Sequence, residues 1–296
     1  MTPDLEIRLP AEMMRTDAGS AEVGRSKTIG QWLLIGAVVG WFSLLVFIPL
    51  LALARRVLAG GCTPFLNALQ EPEVRRAFGM TLGITALATV VNTIIGIAIA
   101  LVLTRQRFRG RALVDGVVDL PFAVSPIVAG LMLVVLYGPS GWIGQWLEPR
   151  GLRVVYAVPG MILATLFVTI PFVVREVVPV LQELGDEFEQ AAYTLGASRW
   201  QTFWSVTLPS IRWGIMYGVT LTIARSLGEF GAVLVVSGNV IGHTQTATLY
   251  IHEGVESFHP EGAYAASVVL AAISFLLLVG MDWIRKHLEF REGSSS

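Results

Sequence analysis

The sequence predicts an all-α membrane protein, a polytopic bundle of about six spanning helices, and three observations carry that expectation. Hydrophobic residues make up 54% of the 296 residues and charged residues only 15%, whereas soluble domains carry about a quarter charged residues. The mean hydropathy is +0.65. Six apolar runs are each long enough to cross a hydrocarbon core about 30 Å thick, which takes about 20 helical residues. The 21 basic and 22 acidic side chains could not cover a water-facing body of this size, so much of the surface must face lipid.

The first 30 residues are polar and mix acids with bases. They lack the short basic region and short apolar core of a cleaved signal, and are expected to form an N-terminal tail, 1–30. The first span is expected at about 32–54, WLLIGAVVGWFSLLVFIPLLALA, and the second at about 79–103. The third, about 113–137, carries Asp115, Asp119, Pro121 and Pro126. Pro121 should kink it or free a carbonyl there. The fourth, about 156–180, carries Pro159, Pro171, Arg175 and Glu176; the fifth, about 211–237, carries Arg225 and Glu229. Such residues are expensive against lipid but tolerable facing neighbours, water or a passage. The sixth span is expected at about 262–283, so the permeation domain runs over 31–285 and a short tail over 286–296.

Basic residues orient the bundle. With the N-terminus inside, inner segments hold 13 Lys and Arg, outer segments 6, and spans the remaining two of 21. The bias places both termini in the cytoplasm, and the run around Arg105, Arg107, Arg109 and Arg111 is the strongest anchor. Arg55 and Arg56 pull the other way.

The segment 181–211, LQELGDEFEQAAYTLGASRWQTFWSVTLPSI, is then a cytoplasmic loop. Asp186 and Glu189 have capping-box spacing, so a helix is expected over about 187–195, with Gly196 terminating it. Ser198 and Gln201 repeat the box, and a second short helix over about 199–206 should stop before Pro209. Trp200, Phe203 and Trp204 on that helix could fill another protein's groove or lie at headgroup level as an aromatic belt.

Some function classes are poorly served by this chain. Its net charge of −1 gives no basic field for nucleic acid. Cys62 is the single cysteine, which excludes an internal disulfide and a multi-thiolate metal site. The histidines at 243, 252, 259 and 287 form no i, i+4 pair or HExxH pattern. No convergent catalytic set is evident, which argues against a membrane enzyme. No inverted repeat is evident either, which argues against an ion-coupled secondary transporter. The absence of GxxxxGK[ST] argues against ATP hydrolysis on this chain.

Gln190-Ala191-Ala192, then Gly196 four residues on, then Val206-Thr207-Leu208-Pro209 resemble the EAA signature of permease subunits of ABC importers. Gln190 stands where the signature has glutamate; an amide cannot form a salt bridge, and Glu189 one residue earlier is out of register. DLPFAVSPIVAG at 119–130, YAVPGMILATLFVTIPF at 156–172 and ARSLGEFGAVLVVSGN at 224–239 resemble sulfate/thiosulfate permeases, more the second of their two subunits than the first. Molybdate permeases share the GEFG-type stretch, so molybdate or tungstate is the alternative cargo.

The resemblance implies the type I ABC importer permease fold in the bacterial inner membrane. It implies a homodimeric ABC ATPase below, a second homologous permease subunit beside, and a sulfate-binding protein outside. ATP and Mg belong to the ATPase, with no cofactor on this chain and lipid around it. Residues 199–206 would be the coupling helix. Glu189, Gln190, Ala191, Ala192, Gly196, Ser198, Arg199, Trp200, Phe203, Leu208 and Pro209 would couple to the ATPase. Ser125, Arg225 and Glu229 are the candidates for the translocation path or gate. Arg225 and Glu229 could pair along one helix face, or Arg225 could touch the dianion with Glu229 holding it back. Ser125 could offer its hydroxyl to the anion, but a bond to a carbonyl freed by proline is the simpler role. Arg175 and Glu176 read most simply as a headgroup anchor. Thr244, Gln245 and Thr246 could touch the binding protein or the second permease.

Overall fold

The computed structural model describes residues 29–59, 65–67, 70–257 and 260–293. The polar tail through residue 28, Cys62 and His259 lie outside them. All regular structure among the described residues is helical. The chain divides at Ala52 and Leu53 into two units. Helix α1 (Ile29–Ala59) supplies the described part of the first. Trp32, Leu33, Val38, Trp41, Phe42 and Phe47 are exposed along it, as an all-round apolar helix in lipid requires.

The second unit contains α2 (Pro72–Arg105), α3 (Arg111–Ala123), α4 (Pro126–Tyr137), α5 (Val158–Leu184), α6 (Glu187–Thr194), α7 (Arg199–Thr202), α8 (Arg212–Leu227), α9 (Gly231–Ser237), α10 (Ala247–Glu256) and α11 (Pro260–Gly293). Helices α1, α2, α5 and α11 are each long and apolar enough to cross a membrane, and the bent pairs α3–α4 and α8–α9 bring the count to six if each is one span. Helix α11 continues to Gly293, so the segment expected as a tail is helical as far as it is described.

The core is built on α5. Asn92 of α2 donates to Leu166 O and Thr169 Oγ1 of α5, and Arg105 at the end of α2 reaches Leu181 O near the end of α5. The two helices therefore run parallel. Helix α8 runs the other way: a Cβ on Gly214 would lie 2.8 Å from Glu176 O, and one on Gly218 2.7 Å from Val173 Cα. Glycine allows this approach of backbone to backbone, and close packing drives helix association where lipid offers no hydrophobic gain. Two apolar clusters result. One centres on Ala100, Leu103, Val173, Val177, Leu181 and Ile211; the other on Ile84, Met161, Val168, Val233, Val236 and Leu249. Buried Thr89, Asn92, Thr165, Thr169 and Thr222 add a polar component to this packing. The hydroxyls of Thr165 and Thr169 donate to Met161 O and Thr165 O, which keeps them satisfied inside the bundle.

Two expected spans are broken. Helices α3 and α4 meet at 115°, α8 and α9 at 56°. Pro121 lies inside α3 without ending it. The break falls at Val124 and Ser125, because Pro126 bars its predecessor from helical geometry and Ser125 takes φ −60, ψ 138. The second break falls over Gly228–Phe230. The breaks adjoin: a Cβ on Gly231 would lie 3.0 Å from Pro126 Cβ, and one on Gly130 2.7 Å from Ala232 O.

The other ends of α5 and α9 are joined by a hydrogen-bonded hub. Tyr156, at φ 59, donates its N–H to Val236 O at 2.7 Å. Asn239 and Gln245 both donate to Glu253 Oε2. Thr244, Gln245 and Thr246 are buried, which corrects the expectation that they form a contact surface for another protein. Thr246 instead caps α10 by accepting from Leu249 N. Tyr250 of α10 donates to Glu71 just before α2; burial, with Glu71 adding, pushes its hydroxyl up to about 12, so it stays a donor at neutral pH.

Gly218→Ala should cost about 1–3 kcal/mol by overpacking against the α5 backbone. It should lower the melting temperature of the detergent-purified protein by several degrees. Gly83→Ala, where an added Cβ meets nothing within 4 Å, is the matched control and should leave melting unchanged.

Candidate functional site

Residues 185–211 form an arch of two helices joined by a glycine turn. Helix α6 begins after Asp186, but the expected Asp186–Glu189 capping box does not form: Asp186 makes no cap bond and accepts from Gln190 Nε2 at 2.8 Å. Helix α6 ends in a paired closure, Gly196 N to Tyr193 O and Ala197 N to Ala192 O, both 3.0 Å. This places Gly196 at φ 88, a conformation that favours glycine. The box at Ser198 does form, Gln201 N donating to Ser198 Oγ and Ser198 N to Gln201 Oε1.

The second helix does not stop before Pro209. Helix α7 passes into a π turn, Phe203–Thr207, and on through Leu208–Ser210. Leu208 N reaches back to Phe203 O, a wide turn that carries the chain through the proline, which has no N–H of its own. Trp200, Phe203 and Trp204 stack edge to face along this element. Trp200 is 73% exposed and Leu195 88%. Arg199, Ala191 and Pro209 are exposed as well, while Ala192 and Leu208 are half-buried.

One side chain ties the arch to the bundle. Arg105 Nε donates to Glu189 Oε2 at 3.1 Å and Nη2 to Glu189 Oε1 at 3.3 Å. Its Nη1 donates to Leu181 O at 3.1 Å and its Nη2 to Gly185 O at 2.7 Å. Thr207 Oγ1 donates to the same carboxylate at 2.9 Å. Arg105 and Glu189 side chains are 22% and 14% exposed. Glu189 is thus the ion-paired acid of the arch, and Gln190 is exposed.

Two further ion-paired arginines occupy the spans. Arg175 of α5 lies 2.8 Å from Asp115 Oδ1 and 2.6 Å from Asp119 Oδ2, both on α3. It is therefore an interhelix clamp and not the expected headgroup anchor. Beside it Phe122 and Phe172 meet edge to face. Arg225 and Glu229 do pair, at 2.8 Å, but across the α8–α9 break and not along one helix. Glu229 Oε1 also accepts from Ala232 N at 2.8 Å, so the carboxylate caps α9. Ser125 is exposed at the other break and makes no cap bond; the expected bond to a carbonyl freed by proline is not made. Among the described residues no group of three His, Cys, Asp or Glu could hold a metal ion.

Sequence reasoning found the Gly196 turn, the Ser198–Gln201 box and the Arg225–Glu229 pair, but gave Glu189 a capping role that it does not have. It missed Arg105, Thr207 and the tie between Asp115, Asp119 and Arg175. The partners are 84 residues apart for Arg105 and Glu189, and 56 for Arg175 and Asp119. Arg105 carried no signal beyond its place in a basic run.

Comparison with known proteins follows this geometry. Residues 92–293 match the model of the family described as binding-protein-dependent transport system inner membrane component. The chain is 45% identical over 263 residues to a sulfate transport system permease protein CysW of Synechocystis sp., covering 89% of this chain and 94% of that one. It is 40% identical over 259 residues to the sulfate transport system permease protein CysT of Escherichia coli K12, covering 87% and 93%. In fold it resembles a chain of a bacterial ABC transporter involved in import of the acidic polysaccharide alginate, with TM-score 0.73 at 20% identity over 87% of this chain and 96% of that one.

Glu229→Gln keeps an acceptor for Ala232 N–H but leaves Arg225 without its counter-charge. The cost should be about 2 kcal/mol, below the ~3–5 kcal/mol of a fully buried pair because Arg225 is 32% exposed. Thermal unfolding in detergent reads it. Arg225→Met added to Glu229→Gln should recover part of the loss; a double variant less stable than Glu229→Gln alone would refute the pairing argument.

Proposed function

This chain belongs to the family of binding-protein-dependent transport system inner membrane components, and from that premise we propose that it is one permease subunit of an ABC importer that carries sulfate or thiosulfate into the cell. It is a multipass inner-membrane protein with the type I importer permease fold. The observation that carries the cargo is its 45% identity, over nearly the whole chain, to a sulfate permease of the CysW type. The similar identity to a CysT protein supports a second, homologous permease chain as its partner. A homodimeric ATPase supplies ATP and Mg chemistry, and a sulfate-binding protein delivers the anion. Arginine bias supports placing both termini and the arch in the cytoplasm.

The arch is the docking element. Its exposed Trp200, Trp204 and Leu195 provide the apolar knob for a groove on the ATPase. Gln190, Ala191, Arg199 and Pro209 border it. Closure of the ATPase dimer would push the arch, and the bundle would re-expose its passage to the other side. Ser125 at one break, and Arg225 with Glu229 at the adjoining one, are the candidates for the path. A guanidinium partly neutralised by a carboxylate offers the dianion hydrogen bonds without trapping it.

Reconstituting this chain with the ATPase, the second permease and the binding protein in vesicles tests the reading. ATP-driven uptake of labelled sulfate is the expected result. Uptake of molybdate with no competition from sulfate would overturn the cargo. In the same vesicles Gly196→Trp should cut uptake about tenfold or more, since a side chain at φ 88 strains the turn by about 1–2 kcal/mol and re-aims α7. Normal assembly with normal uptake would remove Gly196 from the coupling set.

A further inference from the structure

We propose that Arg105, with Glu189 and Thr207, is the strut that transmits movement of the arch into the bundle, a positioning role that rests on the importer reading above. Three features of the geometry carry it.

First, one guanidinium joins four pieces of chain. It is the end of α2, it holds two carbonyls at the end of α5, and it meets the carboxylate of α6. Through that carboxylate it reaches Thr207 at the close of the π turn. A planar fork with five donors can satisfy these acceptors at once, which an ammonium cannot.

Second, the contacts fall where the last turn of α5 leaves carbonyls without helical partners. Leu181 O and Gly185 O flank the C-terminus of α5, where a cation is favoured. Gly185 itself has φ 62, so the chain turns sharply from span to arch at this point. Without Arg105 this turn would hinge on α5 alone.

Third, α6 and α7 have little else to hold them. None of the residues of α6 is buried, and α7 buries only Thr202. The neighbouring cleft, about 720 Å³, opens between Arg105, Gln106, Glu189, Tyr193 and Ser198. The other buried anchors of the arch, Thr207 and Ile211, lie at its α8 end, so α6 is tied to α2 and to the end of α5 through Arg105 and Glu189. Movement at Trp200 would otherwise be absorbed by local bending and not delivered to α2 and α5.

The experiment uses the complete complex in vesicles and reads the ratio of sulfate taken up to ATP hydrolysed, with ATPase co-purification as the assembly check. Arg105→Gln should assemble and lower that ratio about tenfold. Thr207→Val, which removes one donor and keeps the shape, should lower it less. Arg105→Lys, keeping the charge but not the fork, should fall between wild type and Arg105→Gln. A wild-type ratio in Arg105→Gln would overturn the strut. If Arg105→Gln fails to assemble, wild-type ratios in both Arg105→Lys and Thr207→Val would overturn it instead. Absence of ATP-driven sulfate uptake in wild-type vesicles would overturn the importer reading and is seen before any variant is compared.

Discussion

The close contact of α2 and α8 with α5 sets the position of almost everything else. Gly96, Gly214 and Gly218 face α5, and a Cβ on any of them would come within 2.8 Å of it. At that separation the helices cannot slide without collision, so their registers are locked. The polar ties between α2 and α5 inherit their geometry from this lock. Asn92 meets Thr169 and Arg105 meets Leu181 because α2 and α5 run parallel in one register. Van der Waals contact supplies the rigidity, and hydrogen bonds then select among the few registers it permits.

The arginines of the spans obey the same economy of pairing. Arg175 has two carboxylates, Arg225 one, and Arg105 one carboxylate and two carbonyls. An unpaired charge in a helix centre costs about 3 kcal/mol even on insertion scales, so these partners are obligatory whatever else they do. The two span pairs differ in balance. Arg225 with Glu229 is neutral, whereas Arg175 with Asp115 and Asp119 carries a net negative charge. A net negative site repels a dianion, which favours Arg175 as a clamp between α3 and α5 and leaves Arg225 as the better-suited contact for an anion.

Much of this was legible in the sequence where the signal is local. Length and hydropathy marked six runs because lipid imposes a minimum on every span. Gly196 and the Ser198–Gln201 box were legible because a helix end must satisfy its own backbone within a few residues. The local rule failed at Asp186, where no box forms: the Glu189 carboxylate meets Arg105, and the Asp186 carboxylate accepts from Gln190 Nε2. It failed again at Pro121, since the next proline, Pro126, sets the break. The ties of Arg105 and Arg175 were illegible because they link helices far apart in sequence, and their partners depend on registers that glycine contacts fix.

The glutamine at 190 stands next to the acid that carries the ion pair of the arch, and the two side chains have different partners. Neighbouring positions on a helix point about 100° apart. On α6 that rotation separates two environments. Position 189 faces the bundle, where Arg105 and Thr207 converge and only a carboxylate satisfies both. Position 190 faces outward, where its amide needs no more than the nearby Asp186. A glutamate at 190 would stand beside Asp186 as a second exposed negative charge one turn away, and like charges at that spacing disfavour a helix. The amide removes that repulsion while Glu189 keeps the ion pair on the inner face.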